Sequence, residues 1–380
     1  MYLSERERDR RYDQLREIMV KEDIGAFVVV GNNCVGGTTG TGSFRYLTDY
    51  FMIFSYGLLI FFRTEDPTLF VGSDLQHVWA SRYSWIHDIR VSPDLAQLAA
   101  RLLAEKGLTR GKIGVVGMGS MPAAAYLSIK ERLPEASFFD ADFIFFGIRL
   151  KKGEAERDLL ERAARINDDA YKEVLKHIRP GLREYEIVGI LEGYHRGRGS
   201  DQTFNLISSG PFPTSLEGIP FQGLPWHPGI REIREGDCIL LEMTTTYGGY
   251  WNQLVRMVSV RKQNPEVIRF HRTALIGLEA GLKEIKMRAK TRDLVQSVAR
   301  ATEKEGFALG LPMGHFAGLD VMEGRVSPDS DVVLEPGIAV VIHPCVMNAQ
   351  GVRFLWGQTY FMTDDGPVKL NQSDDALHVV

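Results

Sequence analysis

The sequence has few cysteines, almost no net charge and no long apolar run. Its 380 residues include three cysteines, Cys34, Cys238 and Cys345, an odd number at wide spacings. This pattern argues against a disulfide framework and fits a reducing compartment. With 45 basic and 49 acidic residues, the chain has no charge surplus to attract nucleic acid or an anionic membrane. The expected partner is therefore a small-molecule substrate.

Targeting segments are also missing from the sequence. The first residues, MYLSERERDRR, read as a charged helix start and not as the apolar stretch of a signal peptide. No segment reaches the roughly 18 apolar residues that a membrane span needs. We therefore expect a cytoplasmic protein, with neither nucleic acid nor a membrane as partner.

Residues 1–147 read as an α/β domain, because strand-like apolar segments alternate with helical ones. The predicted strands are 25–30, 56–62, 67–72 and 112–117, and the predicted helices lie near 5–22, 93–107 and 121–133. The glycine-rich segment 30–42, VGNNCVGGTTGTG, lacks the Gly-Lys-Ser/Thr ending and the GxGxxG spacing of nucleotide-binding loops. A flap beside a binding site is the better interpretation.

Residues 148–380 read as an α+β domain. Apolar positions recur at helical spacing through GEAERDLLERAARINDDAYKEVLKHI, and a turn and a second helix follow. Strand-like segments bounded by turns come next, with a predicted helix pair across 265–307 between them. Helices packed on an antiparallel sheet explain this order, and 380 residues suffice for two separate cores.

Motifs along the whole chain resemble the pita-bread fold family of aminopeptidase P, prolidase and creatinase. They are, in order, IRLKKGEAE, REGDCILLE, GGYWNQLVR, MGHFAGLD, LEPGIAVVIHP and GVRFLWGQTYFMTDDG. The resemblance implies a creatinase-type N-terminal α/β domain over 1–147 and a pita-bread catalytic domain over 148–380. It also implies a homodimer, in which Phe44, Arg45 and Tyr46 of SFRYLTDYF complete the partner's site.

Peptidases of this family hold two metal ions with five side chains, four of them carboxylates. Alignment of the motifs places those positions at Glu242, Gln253, His315, His343 and Gly357. The two positions that carry bridging carboxylates in the family are here a neutral amide and a glycine. Neighbouring divalent ions repel each other, and bridging carboxylates offset that repulsion. A two-metal peptidase site is therefore not expected, and no metal cofactor is predicted.

Creatinase resembles these peptidases but works without a metal, using a histidine as acid and base. His227 in PWHP stands where creatinase has that histidine, and an imidazole titrates near neutral pH. Val255 and His343 stand where creatinase has substrate-binding glutamates, so a cationic guanidinium is not the expected substrate. The resemblance favours a metal-independent hydrolase or lyase that cleaves a C–N or related bond in a small, carboxylate-bearing molecule.

Other residues are candidates for the same site. His315 is a candidate for stabilising developing negative charge, and Glu242 for a base or for a group that orients His343. Glu323 and Arg325 lie where the resemblance places substrate-contacting residues, and an arginine there suits a substrate carboxylate, although a solvated surface charge is the alternative. The side chains that complete the predicted substrate pocket are Tyr250, Trp251, Gln253 and Trp356, although aromatic residues on strands often belong to a plain core.

Two other functions fit the sequence. Glu242, His315 and His343 form a set of two histidines and one carboxylate, which is able to hold a single Zn or Fe ion in a hydrolase or lyase. The other is an Xaa-Pro peptidase-like pseudoenzyme, a binding protein that keeps the fold after losing catalysis. The new imidazole of His343 counts against the pseudoenzyme, because simple decay would not be expected to add one.

Overall fold

The computed structural model describes residues 2–32, 40, 42–212, 223–285, 289–310 and 313–380. The chain divides into two compact units, Met1–Arg149 and Leu150–Val380. This division lies two residues beyond the predicted boundary. Most of the glycine-rich segment 30–42, including Cys34, lies outside the described residues, so its predicted role as a flap stays a prediction.

The first unit is built on a six-stranded mixed sheet. Its strands are β1 (Ala26–Gly31), β2 (Gly57–Phe62), β3 (Thr68–Val71), β4 (Asp88–Val91), β5 (Lys112–Val116) and β6 (Ser137–Asp140), in the order β4-β3-β2-β1-β5-β6. Its helices are α1 (Glu5–Lys21), α2 (Gly42–Thr48), α3 (Asp74–Tyr83), α4 (Leu95–Glu105), α5 (Ala123–Arg132) and α6 (Asp142–Leu150). The four predicted strands and three predicted helices are confirmed. The outer strands β4 and β6 were not predicted, because they are short and only partly buried.

The second unit packs helices on a large antiparallel sheet. Its helices are α7 (Glu154–Leu175), α8 (Glu184–Gly197), α9 (Pro265–Glu284) and α10 (Thr291–Lys304). Its strands are β7 (Leu206–Pro211), β8 (Asp237–Tyr247), β9 (Tyr250–Ser259), β10 (Ala308–Gly310), β11 (Gly314–Phe316), β12 (Gly324–Val326), β13 (Ala339–Ile342), β14 (Cys345–Met347), β15 (Arg353–Leu355), β16 (Gly357–Thr363) and β17 (Gly366–Lys369). The large sheet has the order β12-β11-β13-β16-β9-β8-β7, β17 pairs with β16, and β10, β14 and β15 form a small sheet.

The β8–β9 hairpin separates the two cores of this unit. On one face Ile239, Leu241 and Met243 pack with apolar side chains of α7 and α8. On the other face Cys238 and Leu240 pack with side chains of α9 and the small sheet. Successive residues of a strand point to opposite faces. The face of β8 that carries Cys238 and Leu240 therefore also carries Glu242.

Residues near the end of the chain contact β9 of the large sheet. The fully buried guanidinium of Arg256 lies 3.2 Å from a carboxylate oxygen of Asp375 and 4.5 Å from the ring centre of Trp356. The backbone of Val380 bonds to Ser259 on the edge of the same region. The positive charge of Arg256 is therefore paired with a carboxylate that lies 119 residues later in the chain.

Two of the three cysteines can be placed. Cys238 and Cys345 are free and buried. Loss of solvation raises the pKa of Cys238 to about 12 and that of Cys345 to about 11, so both thiols stay protonated at neutral pH. Among the described residues, no helix is both long enough and apolar enough to cross a membrane.

Candidate active site

The register of the large sheet brings the predicted site positions onto one face. Glu242 on β8 and Gly357 on β16 both lie opposite Val255 of β9. Residues directly opposite each other in antiparallel strands share a face, and so do residues two positions apart on one strand. Gln253 therefore lies on the same face as Glu242, between β8 and β16.

The two histidines extend this face toward the other end of the sheet. His315 on β11 lies opposite Val341 of β13, which lies opposite Thr359 of β16. The ring centres of His315 and His343 are 5.6 Å apart. The structure thus gathers Glu242, Gln253, His315 and His343, which the chain separates widely.

A chain of hydrogen bonds links three of these side chains. The Gln253 Nε2 atom donates to Glu242 Oε1 over 2.7 Å, and Gln253 Oε1 lies 2.7 Å from His315 Nε2. Gln253 and His315 are buried, whereas Glu242 keeps part of its surface exposed. Glu242 is therefore the member of this chain that a ligand could reach.

Burial sets the charge of the site. It raises the pKa of Glu242 to about 7, an effect that the hydrogen bond from Gln253 opposes. Burial lowers the pKa of His315 to about 3, with a further lowering by His343. Burial also lowers the pKa of His343 to about 4. At neutral pH both imidazoles are uncharged, and Glu242 can either give or take a proton.

Two buried polar atoms beside this chain have no hydrogen-bond partner among the described residues. They are the hydroxyl of Thr244 and Nδ1 of His343. Thr244 lies directly opposite Gln253 and two residues from Glu242, so it belongs to the same face. Sequence reasoning missed Thr244. Unpaired buried polar atoms are unfavourable unless a ligand bonds to them, which makes both atoms candidates for substrate contacts.

The fifth predicted position cannot carry a side chain in this backbone. A Cβ atom at Gly357 would lie 2.0 Å from the carbonyl oxygen of Ile342 and 2.4 Å from Cα of His343. Real Cβ atoms do not make such contacts with backbone. The space where the family carboxylate would begin is therefore filled by the end of β13.

His227 lies in an exposed loop beside the sheet edge. The residue before it, Trp226, pairs through its backbone with Ile207 of β7, and the next residue of β7, Leu206, lies opposite Glu242. The rings of Trp226 and His227 are 5.5 Å apart. Two strand spacings, about 10 Å, thus separate the backbones near His227 and Glu242. No contact between their side chains is present.

Glu323 and Arg325, both predicted to contact substrate, lie in different surroundings. The carboxylate of Glu323 lies 2.6 Å from the ammonium nitrogen of Lys152, with side-chain exposures of 3% and 1%. This buried ion pair accounts for Glu323 without a substrate. Arg325 is exposed and lies opposite His315 across β11 and β12, so it remains on the face of the site.

The predicted aromatic wall is only partly present. Trp251 is buried on the face that carries Gln253, two residues away. Tyr250 points to the opposite face, where its hydroxyl lies 2.6 Å from a carboxylate oxygen of Glu156 on α7. Trp356 is fully buried in the core and stacks with Phe354. Tyr250 therefore does not line the predicted pocket, because strand alternation turns it toward α7, and Trp356 is enclosed in the apolar core.

The three residues predicted to reach a partner subunit are packed within the first unit. Phe44 lies against Gly31, whose added Cβ would come within 2.6 Å of its ring. The guanidinium of Arg11 lies 4.2 Å from the ring centre of Tyr46. Arg45 is almost buried, with its guanidinium 5.8 Å from the ring centre of Phe51. These contacts describe the three side chains within the first unit, and their role in a partner's site stays a prediction.

The part of the chain that the structure describes contains no cluster of metal-binding side chains. Among the described residues, no three His, Cys, Asp or Glu side chains are placed to hold one ion. The predicted set of Glu242, His315 and His343 is divided, since the amide of Gln253 lies between the first two.

Comparisons with known proteins agree with the architecture. Residues 158–366 match metallopeptidase family M24, and residues 11–151 match the creatinase/prolidase N-terminal domain. The chain is 28% identical over 268 residues to the uncharacterized peptidase YqhT of Bacillus subtilis, covering 69% of this chain and 73% of that protein. It is 24% identical over 378 residues to creatinase of a Bacillus species, covering 92% of this chain and 85% of that protein.

A solved structure gives the same result for the fold. The Xaa-Pro dipeptidase from Bacillus anthracis superposes with a TM-score of 0.83 at 22% identity, covering 98% of this chain and 100% of that one. The predicted combination of a creatinase-type N-terminal domain with a pita-bread domain is confirmed.

Proposed function

Because the chain belongs to metallopeptidase family M24, whose relatives include hydrolases such as creatinase, we propose that it is a metal-independent hydrolase. Its proposed substrate is a small, carboxylate-bearing molecule in which it cleaves a C–N or related bond. The observation that carries this proposal is the amide of Gln253, which bonds to both Glu242 and His315.

Electrostatics supports the absence of a metal pair. Two unit charges 4 Å apart interact by about 4 kcal/mol at an effective dielectric constant of 20, so two divalent ions repel each other by roughly 16 kcal/mol. Family peptidases offset such repulsion with four carboxylates, two of them bridging. Here Glu242 is the one acidic side chain at the five aligned positions, and its pKa is already raised to about 7 by burial. The donor set does not fit a pair of ions.

Glu242 and His227 supply the proposed proton transfers. In the hydrolysis, the Glu242 carboxylate takes a proton from water as the water oxygen attacks the carbon of the C–N bond. His227 gives a proton to the nitrogen as the C–N bond breaks; afterwards Glu242 releases its proton to solvent and His227 takes one up from solvent, which restores both groups. A carboxyl group whose pKa is near 7 suits this exchange at neutral pH. In the lyase alternative, Glu242 removes a proton from the substrate itself.

The charges around the site favour a neutral or anionic substrate. His315 and His343 are uncharged and buried, and Arg325 is the exposed cation on the adjacent strand. A guanidinium can grip a carboxylate through two parallel hydrogen bonds. The unpaired Thr244 hydroxyl and His343 Nδ1 are available for further polar groups of the substrate.

A single-metal hydrolase or lyase is the competing proposal. Its support is the unpaired Nδ1 atom of buried His343, since neutral imidazole nitrogens are common metal ligands. Elemental analysis of the purified protein separates the two. We expect well under one ion per chain and turnover that survives a chelator, whereas one tightly held ion per chain would favour this competitor.

Activity should be sought with creatine, N-acyl and N-carbamoyl amino acids and cyclic amidine carboxylates, following release of amine, ammonia or urea. On a substrate that turns over, His227→Ala should lower kcat by about a hundredfold. The exposed His87→Ala variant is the matched control. Full activity of His227→Ala would remove this residue from the reaction, and binding without turnover would support a pseudoenzyme.

A homodimer is part of the proposal. It rests on the resemblance of SFRYLTDYF to the creatinase segment that enters a partner's site. Light scattering of the purified chain tests it directly, since a mass near 43 kDa instead of near twice that value would contradict a dimer.

A further inference from the structure

Gln253 lies between a carboxylate and an imidazole and bonds to both. Its amide offers a donor on one side and an acceptor on the other, at 2.7 Å from Glu242 and 2.7 Å from His315. An amide can therefore join these two groups without any charge. We propose that Gln253 takes the place of an ion: it holds Glu242 and His315 in position and keeps a divalent cation out. This inference rests on the proposed metal-independent function, and it names Gln253 as the positioning residue that excludes the ion.

The distances explain why an ion is kept out. Oxygen and nitrogen ligands lie about 2.0–2.2 Å from zinc, so two ligand atoms on one ion are within about 4 Å of each other. Here two hydrogen bonds and the width of an amide separate the oxygen of Glu242 from the nitrogen of His315. An ion that joined them would displace the amide and leave it buried without partners.

The amide is also held firmly in place. The backbone N–H of Gln253 donates to the hydroxyl of Thr359 over 3.1 Å, and that hydroxyl donates to the Gln253 carbonyl over 3.0 Å. Both residues are buried in the sheet. Thr359 thus fixes the backbone from which the side chain projects, and the bonds to Glu242 and His315 hold the side-chain amide itself.

This arrangement also selects one form of the His315 ring. An ionised carboxylate only accepts, so the NH2 group of Gln253 faces Glu242 and its oxygen faces His315. Nε2 of His315 must then carry the proton, and Nδ1 carries none. The carbonyl oxygen of Phe316 could also accept a proton from Nδ1, but it lies 3.4 Å away, near the long limit of a hydrogen bond, so it competes only weakly with the 2.7 Å bond at Nε2. The tautomer gives an observable that a purely space-filling role of Gln253 would not control.

The first test measures metal binding with zinc as the probe. Native protein, Gln253→Glu and the double variant Gln253→Glu/Glu242→Gln are equilibrated with Zn²⁺, dialysed and analysed for metal. The new carboxylate joins Glu242 and His315 as a third ligand, so Gln253→Glu should hold about one ion per chain, with an affinity raised roughly a hundredfold. Native protein and the double variant should hold well under one ion.

Each outcome has a distinct meaning. An empty Gln253→Glu variant beside an empty native protein would overturn the assignment to Gln253 and leave the proposed function standing. An ion held by the native protein would overturn the metal-independent function itself. An ion that stays on the double variant would show that zinc binds elsewhere, and it would also overturn the assignment. Gln253→Asp serves in the same way if the glutamate variant does not fold.

The second test measures the tautomer of His315 by ¹⁵N NMR on protein with labelled histidine. The native ring should show a protonated Nε2 and an unprotonated Nδ1 above pH 8, and the signal is identified by its loss in His315→Gln. In Gln253→Leu, which fills the space without hydrogen bonds, this pattern should be lost. A ring that keeps the same tautomer in Gln253→Leu would overturn the positioning role.

Discussion

Gly357 lies so close to His343 that a Cβ atom at position 357 would be 2.7 Å from the Cβ of His343. His343 directly follows β13, which neighbours β16, and the backbone there occupies the room that a side chain at position 357 would need. The nearest atoms are backbone, the carbonyl oxygen of Ile342 at 2.0 Å and Cα of His343 at 2.4 Å, so only glycine fits at position 357 in this backbone.

This relationship predicts that Gly357→Ala is destabilising. The added methyl group would meet backbone on two sides, and overpacking of this kind costs about 1–3 kcal/mol of unfolding free energy. Urea unfolding monitored by circular dichroism gives the value. Gly193→Ala is the control, since this exposed glycine of α8 has nothing within 4 Å of its added Cβ. It should gain about 0.5–1 kcal/mol, and equal effects of the two substitutions would contradict the close packing.

Replacing Thr244 by valine should not lower the free energy of unfolding, unlike the same substitution at most buried threonines. Its hydroxyl has no partner, so Thr244→Val should leave stability unchanged or raise it by about 1 kcal/mol. Thr359→Val is the matched variant, because its hydroxyl makes two bonds to the backbone of Gln253, and it should lose about 1–3 kcal/mol. Urea unfolding of both variants provides the comparison. A clear loss in Thr244→Val would reveal a partner for the hydroxyl and remove the reason to expect a substrate there.

Glu242 should make stability depend on pH in a specific direction. Its native pKa is raised to about 7 from an ordinary value near 4.5, so between these values the unfolded state loses the proton more readily than the native state. Stability from this group is complete below about pH 4.5 and is lost as the pH rises through 7. Glu242→Gln cannot ionise, so at pH 8 it should be more stable than native protein, by about 2 kcal/mol after allowance for partial exposure.

Thermal or urea unfolding across pH 4.5 to 8 tests the prediction for Glu242. The two proteins should coincide at the acidic end and separate as the pH rises. A constant difference would show that the native and unfolded pKa values of Glu242 are alike.

The ion pair of Lys152 and Glu323 should be structural. Replacing one member leaves a buried charge without a partner, which costs about 3–5 kcal/mol, so Lys152→Met and Glu323→Gln should each unfold in less urea. The double variant should lose much less than the sum of the two, and a double-mutant cycle measures the difference. If Glu323→Gln instead kept its stability and lost substrate binding, Glu323 would be a substrate contact, as the sequence predicted.

Much of the hairpin geometry could be predicted from the sequence. Gly248 and Gly249 both have positive φ, as a two-residue turn requires, and this turn sets Tyr247 opposite Tyr250. Counting back from the turn pairs Thr244 with Gln253. The signal that would have found Thr244 was therefore present in YGGY, together with the rule that alternate residues share a face.

Contacts between distant segments could not be predicted in this way. The partner of Glu323 is 171 residues away, and nothing in the local pattern indicates Lys152. The role of Tyr250 depended on which side of β9 faces α7, which an aromatic residue on a strand does not reveal. The resemblance located His227, but it did not indicate that the loop is exposed and makes no contact with Glu242.

The pairing of Arg256 with Asp375 sets an order for folding during synthesis. The two residues are 119 positions apart, and until the later one has left the ribosome the buried guanidinium lacks the carboxylate with which it forms an ion pair. The first unit has all its strands long before that moment and can fold while translation continues. The second unit has to wait, so nascent chains halted between these positions should be the ones that chaperones and proteases recognise.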